Sequence, residues 1–240
     1  MRVACMTLDD LTAAVFTEVA LPEALWAAAV LLARARSASN TARSALHDRG
    51  EEGNHNVDLH GAFGELLLQR TLRAIPGSEV AQTYMSRSMF VTSGGAGLGN
   101  HPDLQFEDLG LIIGVDAKTF DCRPNKRYFA IADSKHAGLR GKANAYFAAI
   151  APTNGRRAVV ARLIPYADVD AWEVSSLRSG GNPSRNLPIA ALLKGYCPLE
   201  TNIATLCKDV YDPLQIDRLT KDNALRTYLS KLIPALADVL

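Results

Sequence analysis

The stretch 101–120, HPDLQFEDLGLIIGVDAKTF, most constrains how this chain can fold, because it carries charged residues within two apolar runs. The runs flank the turn-like sequence Glu-Asp-Leu-Gly at 107–110, and this arrangement predicts a β-hairpin with Gly110 in its turn. A charge on an apolar strand is costly unless it reaches solvent, pairs with another charge or binds a ligand. The charged residues of this hairpin are therefore the first candidates for a functional site.

Three charged side chains of the hairpin are predicted to converge. Because side chains alternate along a strand, Asp116 and Lys118 share one face of the second strand, and Val115 and Ala117 share the other. Antiparallel pairing brings Asp103, at the start of the first strand, close to Asp116 and Lys118. The alternative is an exposed sheet end whose Asp–Lys pair has little energetic consequence.

Length and composition indicate a folded protein of ordinary make-up. The 240 residues suit one large domain, or one domain with helical additions, and 48% of them are hydrophobic and 21% charged. The net charge of +1 gives no global sign of a nucleic-acid partner, although one cleft can still concentrate positive charge. Four scattered cysteines form no CxxC pair and predict buried thiols in a reducing compartment.

The N-terminal sequence predicts a soluble, cytoplasmic protein with no membrane partner. Its only long apolar run, 24–33, is too short to span a bilayer, and acidic residues precede it. Residues 1–48 are predicted to be helical, with a short helix over 11–19 and a longer one from 23 to 47. The polar sequence RGEEGNHNV at 49–57 predicts a loop and a domain boundary.

A third helix is predicted over residues 58–75, and it is apolar or small on two sides, which indicates burial. Gly61 and Gly64 would let another backbone approach it closely. Glu65 points toward this small face. Its carboxylate lies either at the helix rim in water or within a site.

The remaining sequence predicts strands followed by helices. A strand over 83–93 and a glycine-rich connector over 93–100 precede the hairpin, and the connector lacks the Lys-Ser/Thr of a phosphate-binding P-loop. Two strands joined by an Asn154-Gly155 turn follow at 145–169. A short helix or loop is predicted over 170–186, and a helix pair or triplet from 187 onward.

This order of elements resembles the PD-(D/E)xK nuclease superfamily, whose fold is restriction-endonuclease-like. The matching residues are Pro102-Asp103, then Asp116-Ala117-Lys118 after twelve intervening residues, with Glu65 on the preceding helix. The resemblance covers about residues 58–165 and implies an α/β fold, with a mixed, mostly antiparallel central sheet flanked by helices. The predicted organisation is an N-terminal helical extension (1–50), a nuclease core (51–170) and a C-terminal helical extension packed on the core (171–240).

The resemblance implies hydrolysis of DNA phosphodiester bonds with Mg²⁺ as cofactor and Mn²⁺ able to substitute. Such a hard cation prefers oxygen ligands, and Asp103, Asp116, Glu65 and the carbonyl of Ala117 are implied to supply them. Lys118 is implied to orient the attacking water and to offset negative charge developing on the phosphate. The size of the chain favours a type II restriction endonuclease acting as a homodimer on double-stranded DNA.

The segment that follows the hairpin is the densest positive cluster of the chain, and a helix is predicted within it from Lys126 to Leu139. His136 is interpreted either as a phosphate contact or as a satisfied imidazole on the protein surface. The predicted nucleic-acid contacts are Lys126, Arg127, Lys135, His136, Arg140 and Lys142.

Two alternatives to a restriction enzyme remain open. The first is a nucleic-acid-binding protein with a nuclease-like fold and no catalysis. The second is a nuclease of the same superfamily that acts in repair, in a phage or on RNA. A zinc or histidine-metal nuclease is disfavoured, because His55, His60 and His101 lack the spacing of helical metal ligands.

Overall fold

A computed structural model describes residues 17–42, 50–73, 82–83, 101–108, 111–121, 128–176, 183–189 and 203–232. These residues form a mixed α/β structure with a six-stranded and a three-stranded sheet. The helices are α1 (Glu23–Ala42), α2 (Gly50–Arg73), α3 (Asp133–Gly138), α4 (Tyr166–Asp170), α5 (Ile203–Leu206), α6 (Pro213–Leu219) and α7 (Asn223–Leu232). The strands are β1 (Thr17–Ala20), β2 (Gln82–Thr83), β3 (Leu104–Asp108), β4 (Leu111–Asp121), β5 (Tyr128–Ala132), β6 (Ala145–Ala151), β7 (Arg157–Pro165), β8 (Glu173–Ser175) and β9 (Ser184–Pro188).

The larger sheet has the strand order β1-β7-β6-β4-β3-β2. Its central pair, β4 and β6, is parallel, and its other pairs are antiparallel. The smaller sheet, β5-β9-β8, is antiparallel throughout. The predicted α/β class, with a mixed and mostly antiparallel sheet, is therefore confirmed. The three-part division of the chain into domains stays a prediction.

Helices α1 and α2 cover one face of the larger sheet. Both pack into the same hydrophobic core as the inward residues of β4, β6 and β7. The Trp26 and Phe63 rings stack with centroids 4.0 Å apart, and the Trp26 indole N–H donates a 2.8 Å hydrogen bond to the Gly155 carbonyl. This one side chain therefore joins α1 to α2 and to the turn between β6 and β7.

Gly64 sets how closely α2 approaches β4. A Cβ atom added at Gly64 would lie 2.0 Å from Thr119 Oγ1 and 3.7 Å from the Cβ of Ala117. Only a residue without a side chain fits at this crossing. Strand β4 approaches α2 closely at Gly64, although through the side chains of Thr119 and Ala117, and Glu65 is the next residue along the helix.

The predicted hairpin around Asn154 and Gly155 is also confirmed, since β6 and β7 pair antiparallel on either side of it. Asn154 has a φ of 57°, a left-handed conformation that asparagine tolerates better than most residues. The three helices α5, α6 and α7 agree with the helix pair or triplet predicted for the C-terminal region. No helix within the described ranges is long and apolar enough to cross a membrane.

Two predictions for the N-terminal region are wrong. Residues 17–20, predicted to end the helix over 11–19, form β1 and pair with β7, because edge pairing overrides weak helical preference. The start of that helix lies outside the described residues. The loop predicted over 49–57 is helical from Gly50 onward. Lengthening an existing helix avoids the free-energy cost of nucleating a new one, so α2 can extend through this polar sequence.

The prediction of a helix over 126–139 is only partly right. Residues 128–132 form β5, in which Phe129 and Ile131 are buried and their neighbours are more exposed, so the period is two. Of the described part of this range, 128–139, only 133–138 are helical. The short helix or loop predicted over 170–186 contains β8 and the start of β9. These two errors are related, because β5 is stabilised by pairing with β9, a strand distant in the sequence, and β9 pairs in turn with β8.

Candidate active site

The hairpin at 104–121 forms as predicted, with Leu104 opposite Val115 and Phe106 opposite Ile113. The residues of its turn, 109 and 110, lie outside the described ranges. Pro102 packs beside the strand, because a Cβ atom added at Gly114 would lie 2.9 Å from Pro102 Cγ. This packing fixes the start of β3 against β4.

Asp103 and Ala117 are joined directly across the hairpin. The backbone N–H of Ala117 donates a 2.7 Å hydrogen bond to Asp103 Oδ2. Asp103 therefore cannot move far from the residues on either side of Ala117, and its second carboxylate oxygen, Oδ1, takes no part in this bond. The first half of the motif, Asp103, is therefore in contact with the second half, Asp116-Ala117-Lys118, as the hairpin predicts.

Asp116 lies between two ammonium groups, although its side chain has no exposed surface. Lys118 donates to Asp116 Oδ2 and also approaches the Ala117 carbonyl oxygen at 3.3 Å. Lys135 Nζ, from α3, lies 3.2 Å from the other oxygen, Asp116 Oδ1. That contact lacks hydrogen-bond geometry, so Oδ1 is buried without a hydrogen-bond partner. The contact between Lys135 and Asp116 is therefore an ion pair without a hydrogen bond.

The charges of this cluster act on one another. Burial, and then the negative charges of Asp116 and Glu65, raise the pKa of Asp103 well above its usual value. Lys118 and Lys135 oppose this effect. Burial alone would lower the pKa of Lys118, but Asp116 and Asp103 outweigh it and raise that pKa. Glu65, which is buried on α2, therefore belongs to the same electrostatic unit as the hairpin.

The donor chemistry of this cluster fits a hard divalent cation. Its carboxylates belong to Asp103, Asp116 and Glu65, the charges of the last two disfavour ionisation of Asp103, and one buried oxygen of Asp116 lacks a hydrogen bond. Oxygen donors of this kind are what Mg²⁺ prefers. Within the described ranges, however, no group of three or more His, Cys, Asp and Glu residues is spaced to hold a metal ion as it stands. In this arrangement the two lysines neutralise Asp116.

His136 is placed differently from its predicted role as a nucleic-acid contact. Its ring is fully buried and stacks on Tyr166 with centroids 4.1 Å apart. Nε2 lies 3.0 Å from Asp170 Oδ1, and Nδ1 lies 2.9 Å from the Tyr146 hydroxyl. Since a carboxylate only accepts, Nε2 donates to Asp170, and this bond lowers the pKa of Asp170. With both nitrogens engaged inside the protein, His136 is a structural residue.

The other predicted nucleic-acid contacts divide into three groups. Lys135 lies in the carboxylate cluster, on the side of β4 that carries Asp116. Arg140 and Lys142 are exposed just after α3, and Arg140 lies 3.5 Å from Asp170. Lys126 and Arg127 lie outside the described residues.

Tyr146, beside Asp116, and Arg185, at the start of α3, were not predicted from the sequence as part of these surroundings. Tyr146 is the β6 partner of Asp116 in the parallel register, and burial followed by the charge of Asp116 raises its pKa. Arg185, from β9, lies 2.9 Å from Asp133 at the start of α3. A buried tyrosine in the otherwise apolar run AYFAAIA was the available signal for Tyr146. No local signal marks Arg185.

The chain matches no protein-family model, and no curated protein is significantly similar to it. Any assignment of function therefore depends on the residues and on the geometry described above.

Proposed function

We propose that this chain is a metal-dependent endonuclease that hydrolyses DNA phosphodiester bonds and has a restriction-endonuclease-like core. The observation that carries the proposal is the single charged cluster formed by the motif residues. Asp103 contacts Ala117, Lys118 contacts Asp116, and the charge of Glu65 reaches both Asp103 and Lys118. An incidental exposed sheet end would not bury Asp116 between two ammonium groups.

The order of elements supports this proposal. Helix α2, strands β2 to β5, helix α3 and strands β6 and β7 follow one another in the chain. The first helix carries Glu65, the hairpin carries the two halves of the motif, and β6 is parallel to β4. The helix with Glu65, the strand, the hairpin, the basic helix and the two further strands are the elements that the resemblance to the PD-(D/E)xK nucleases implies, and β5 is an additional strand among them.

The carboxylates have a clear task in phosphodiester hydrolysis. A bound Mg²⁺ or Mn²⁺ would neutralise charge on the scissile phosphate and acidify a water molecule. Asp103, Asp116 and the Ala117 carbonyl would hold the ion, and Glu65 would hold it directly or through water. Asp103 Oδ1 is suited to this role because the hydrogen bond from Ala117 engages only Oδ2.

Lys118 would act through its charge. The raised pKa keeps its ammonium group protonated near neutral pH, so it is a poor general base. A fixed positive charge beside the attacking water favours the deprotonated form of that water and offsets charge on the phosphate. The exposed Arg140 and Lys142 would contact the DNA backbone nearby. A double-strand cut needs two such sites, so we propose that a type II restriction-type homodimer is the active form.

Nicking of supercoiled plasmid DNA in Mg²⁺ tests the proposal. We expect the wild-type protein to nick, and Asp116→Asn and Lys118→Met to lose on the order of 10²-fold or more in rate. Lys208→Met is the matched control, because Lys208 is exposed beside the turn at the far end of β6. Equal nicking by all four proteins would remove the catalytic assignment.

The same assay addresses the alternatives. Salt-sensitive DNA binding without any nicking would indicate a binding protein that keeps the fold but not the chemistry. Preferential cleavage of an RNA substrate would indicate a ribonuclease built on the same site.

A further inference from the structure

We propose that Lys135 is a second active-site cation, which neutralises Asp116 until a divalent metal displaces it and which then contacts the DNA phosphate. This inference rests on the proposed nuclease function. It differs from a general role of Lys135 in DNA binding, because it assigns the lysine two successive partners within the catalytic centre.

The two lysines on Asp116 are not equivalent. Lys118 makes a hydrogen bond to Oδ2 and is anchored a second time by the Ala117 carbonyl. Lys135 makes an ion pair to Oδ1 at 3.2 Å without hydrogen-bond geometry. A contact without directional bonding is the easier one to break. Oδ1 is therefore the oxygen that Asp116 can offer to a metal at the lower cost.

The charge balance of the cluster favours this exchange. Metal ligation requires ionised carboxylates, and three carboxylates with two ammonium groups then carry one net negative charge before the ion is counted. A divalent ion would convert this to one net positive charge, and the ammonium of Lys135 would then be repelled from the ion. A phosphodiester group carries one negative charge and would restore neutrality. The net charge of the site is therefore zero when the metal ion and the DNA phosphate are both bound.

The main chain around Lys135 is fixed, so only its side chain has to move. Helix α3 is held at its first residue by the 2.9 Å ion pair between Asp133 and Arg185. It is held again by the buried ring of His136, whose nitrogens lie 2.9 Å and 3.0 Å from Tyr146 and Asp170. The Lys135 side chain is about one-quarter exposed, so its end has a path toward bound DNA.

Calorimetric titration with Mn²⁺, in the absence of DNA, tests the first half of the proposal. We expect Lys135→Met to bind Mn²⁺ about tenfold more tightly than the wild-type protein, because a competing positive charge has been removed. Lys208→Met removes an exposed lysine far from the site and should bind like wild type. Lys135→Gln should behave like Lys135→Met and provides a second variant if the first fails to fold.

Single-turnover nicking at saturating Mn²⁺ tests the second half. We expect Lys135→Met to be slower than wild type by at least about tenfold, because the phosphate loses a cationic contact. Tighter metal binding combined with slower cleavage is the signature, since damage to the site would weaken both. Unchanged Mn²⁺ affinity in folded Lys135→Met and Lys135→Gln would overturn the proposal while leaving the nuclease assignment standing. If the wild-type protein neither binds Mn²⁺ nor nicks DNA, the proposed function itself is wrong.

Discussion

Asp116 is a fully buried carboxylate on a strand whose neighbouring side chains are mostly apolar. Burial of a charge is tolerated only when it is paired, and here two lysines supply the pairing. One of them comes from the same strand and could be predicted from side-chain alternation. The other comes from α3, whose position depends on tertiary contacts. Alternation along a strand is local in sequence, whereas the placement of a helix is not.

At the residue scale, ionisation of Asp103 lowers the free energy of unfolding of the metal-free protein at neutral pH. Its pKa is raised in the folded state, so the folded protein binds the proton more tightly than the unfolded chain does. Stability is therefore lost as the pH rises from the ordinary value of 3.8 through the folded-state pKa. We expect Asp103→Asn to raise the melting temperature at pH 7.5 without metal, and this gain to shrink toward pH 3.8.

Thermal unfolding followed by circular dichroism at several pH values measures this effect. The amide oxygen of asparagine can still accept the hydrogen bond from Ala117, so the backbone contact is retained. A lower melting temperature for Asp103→Asn at pH 7.5 would contradict the electrostatic account of the site.

His136 should contribute mainly to stability and to the placement of α3. His136→Ala leaves the Tyr146 hydroxyl without its partner and opens a cavity beside Tyr166. We expect a loss of about 2–4 kcal/mol in the free energy of unfolding, measured by urea denaturation. Arg140→Ala, at an exposed position of the same segment, should change stability by less than about 0.5 kcal/mol. Similar losses for the two variants would contradict the structural role of His136.

At the element scale, the crossing of α2 over β4 decides whether Glu65 reaches the site. Gly64→Ala should improve helix propensity by about 1 kcal/mol, but its Cβ would meet Thr119 Oγ1 at 2.0 Å. We expect a net destabilisation of roughly 1–3 kcal/mol in urea, from overpacking at the crossing.

A double-variant cycle tests the cause of that loss. Thr119→Ala removes the oxygen that the new methyl group would meet, so the pair Gly64→Ala/Thr119→Ala should recover most of the stability. Additive losses in the double variant would show that the crossing at Gly64 is not what limits substitution there.

The elements themselves were predictable to different degrees. The hairpin of β3 and β4, the hairpin of β6 and β7 and helices α1 and α2 carry local patterns of alternation, turn residues or apolar faces. The strands β1, β5 and β9 do not, because each is stabilised by a partner distant in the sequence. The motif residues could therefore be predicted from the sequence. The side chains that surround α3 could be identified only from the fold.

At the scale of the whole molecule, catalysis and folding should be separable. The hydrophobic cores on the two faces of the larger sheet are built from apolar residues and do not depend on a bound ion. We expect excess EDTA to abolish nicking while shifting the melting temperature by no more than a few degrees. Unfolding of the protein in EDTA would show that an ion has a structural role instead.

The proposed metal-dependent cleavage is tested by plasmid nicking with the wild-type protein, as a function of added Mg²⁺ and with EDTA as the blank. We expect no cleavage in EDTA, a rate that rises to saturation with Mg²⁺, and a rate for Asp116→Asn that is lower by on the order of 10²-fold or more at every Mg²⁺ concentration. Cleavage that persists in excess EDTA, or an Asp116→Asn protein as active as wild type, would contradict it.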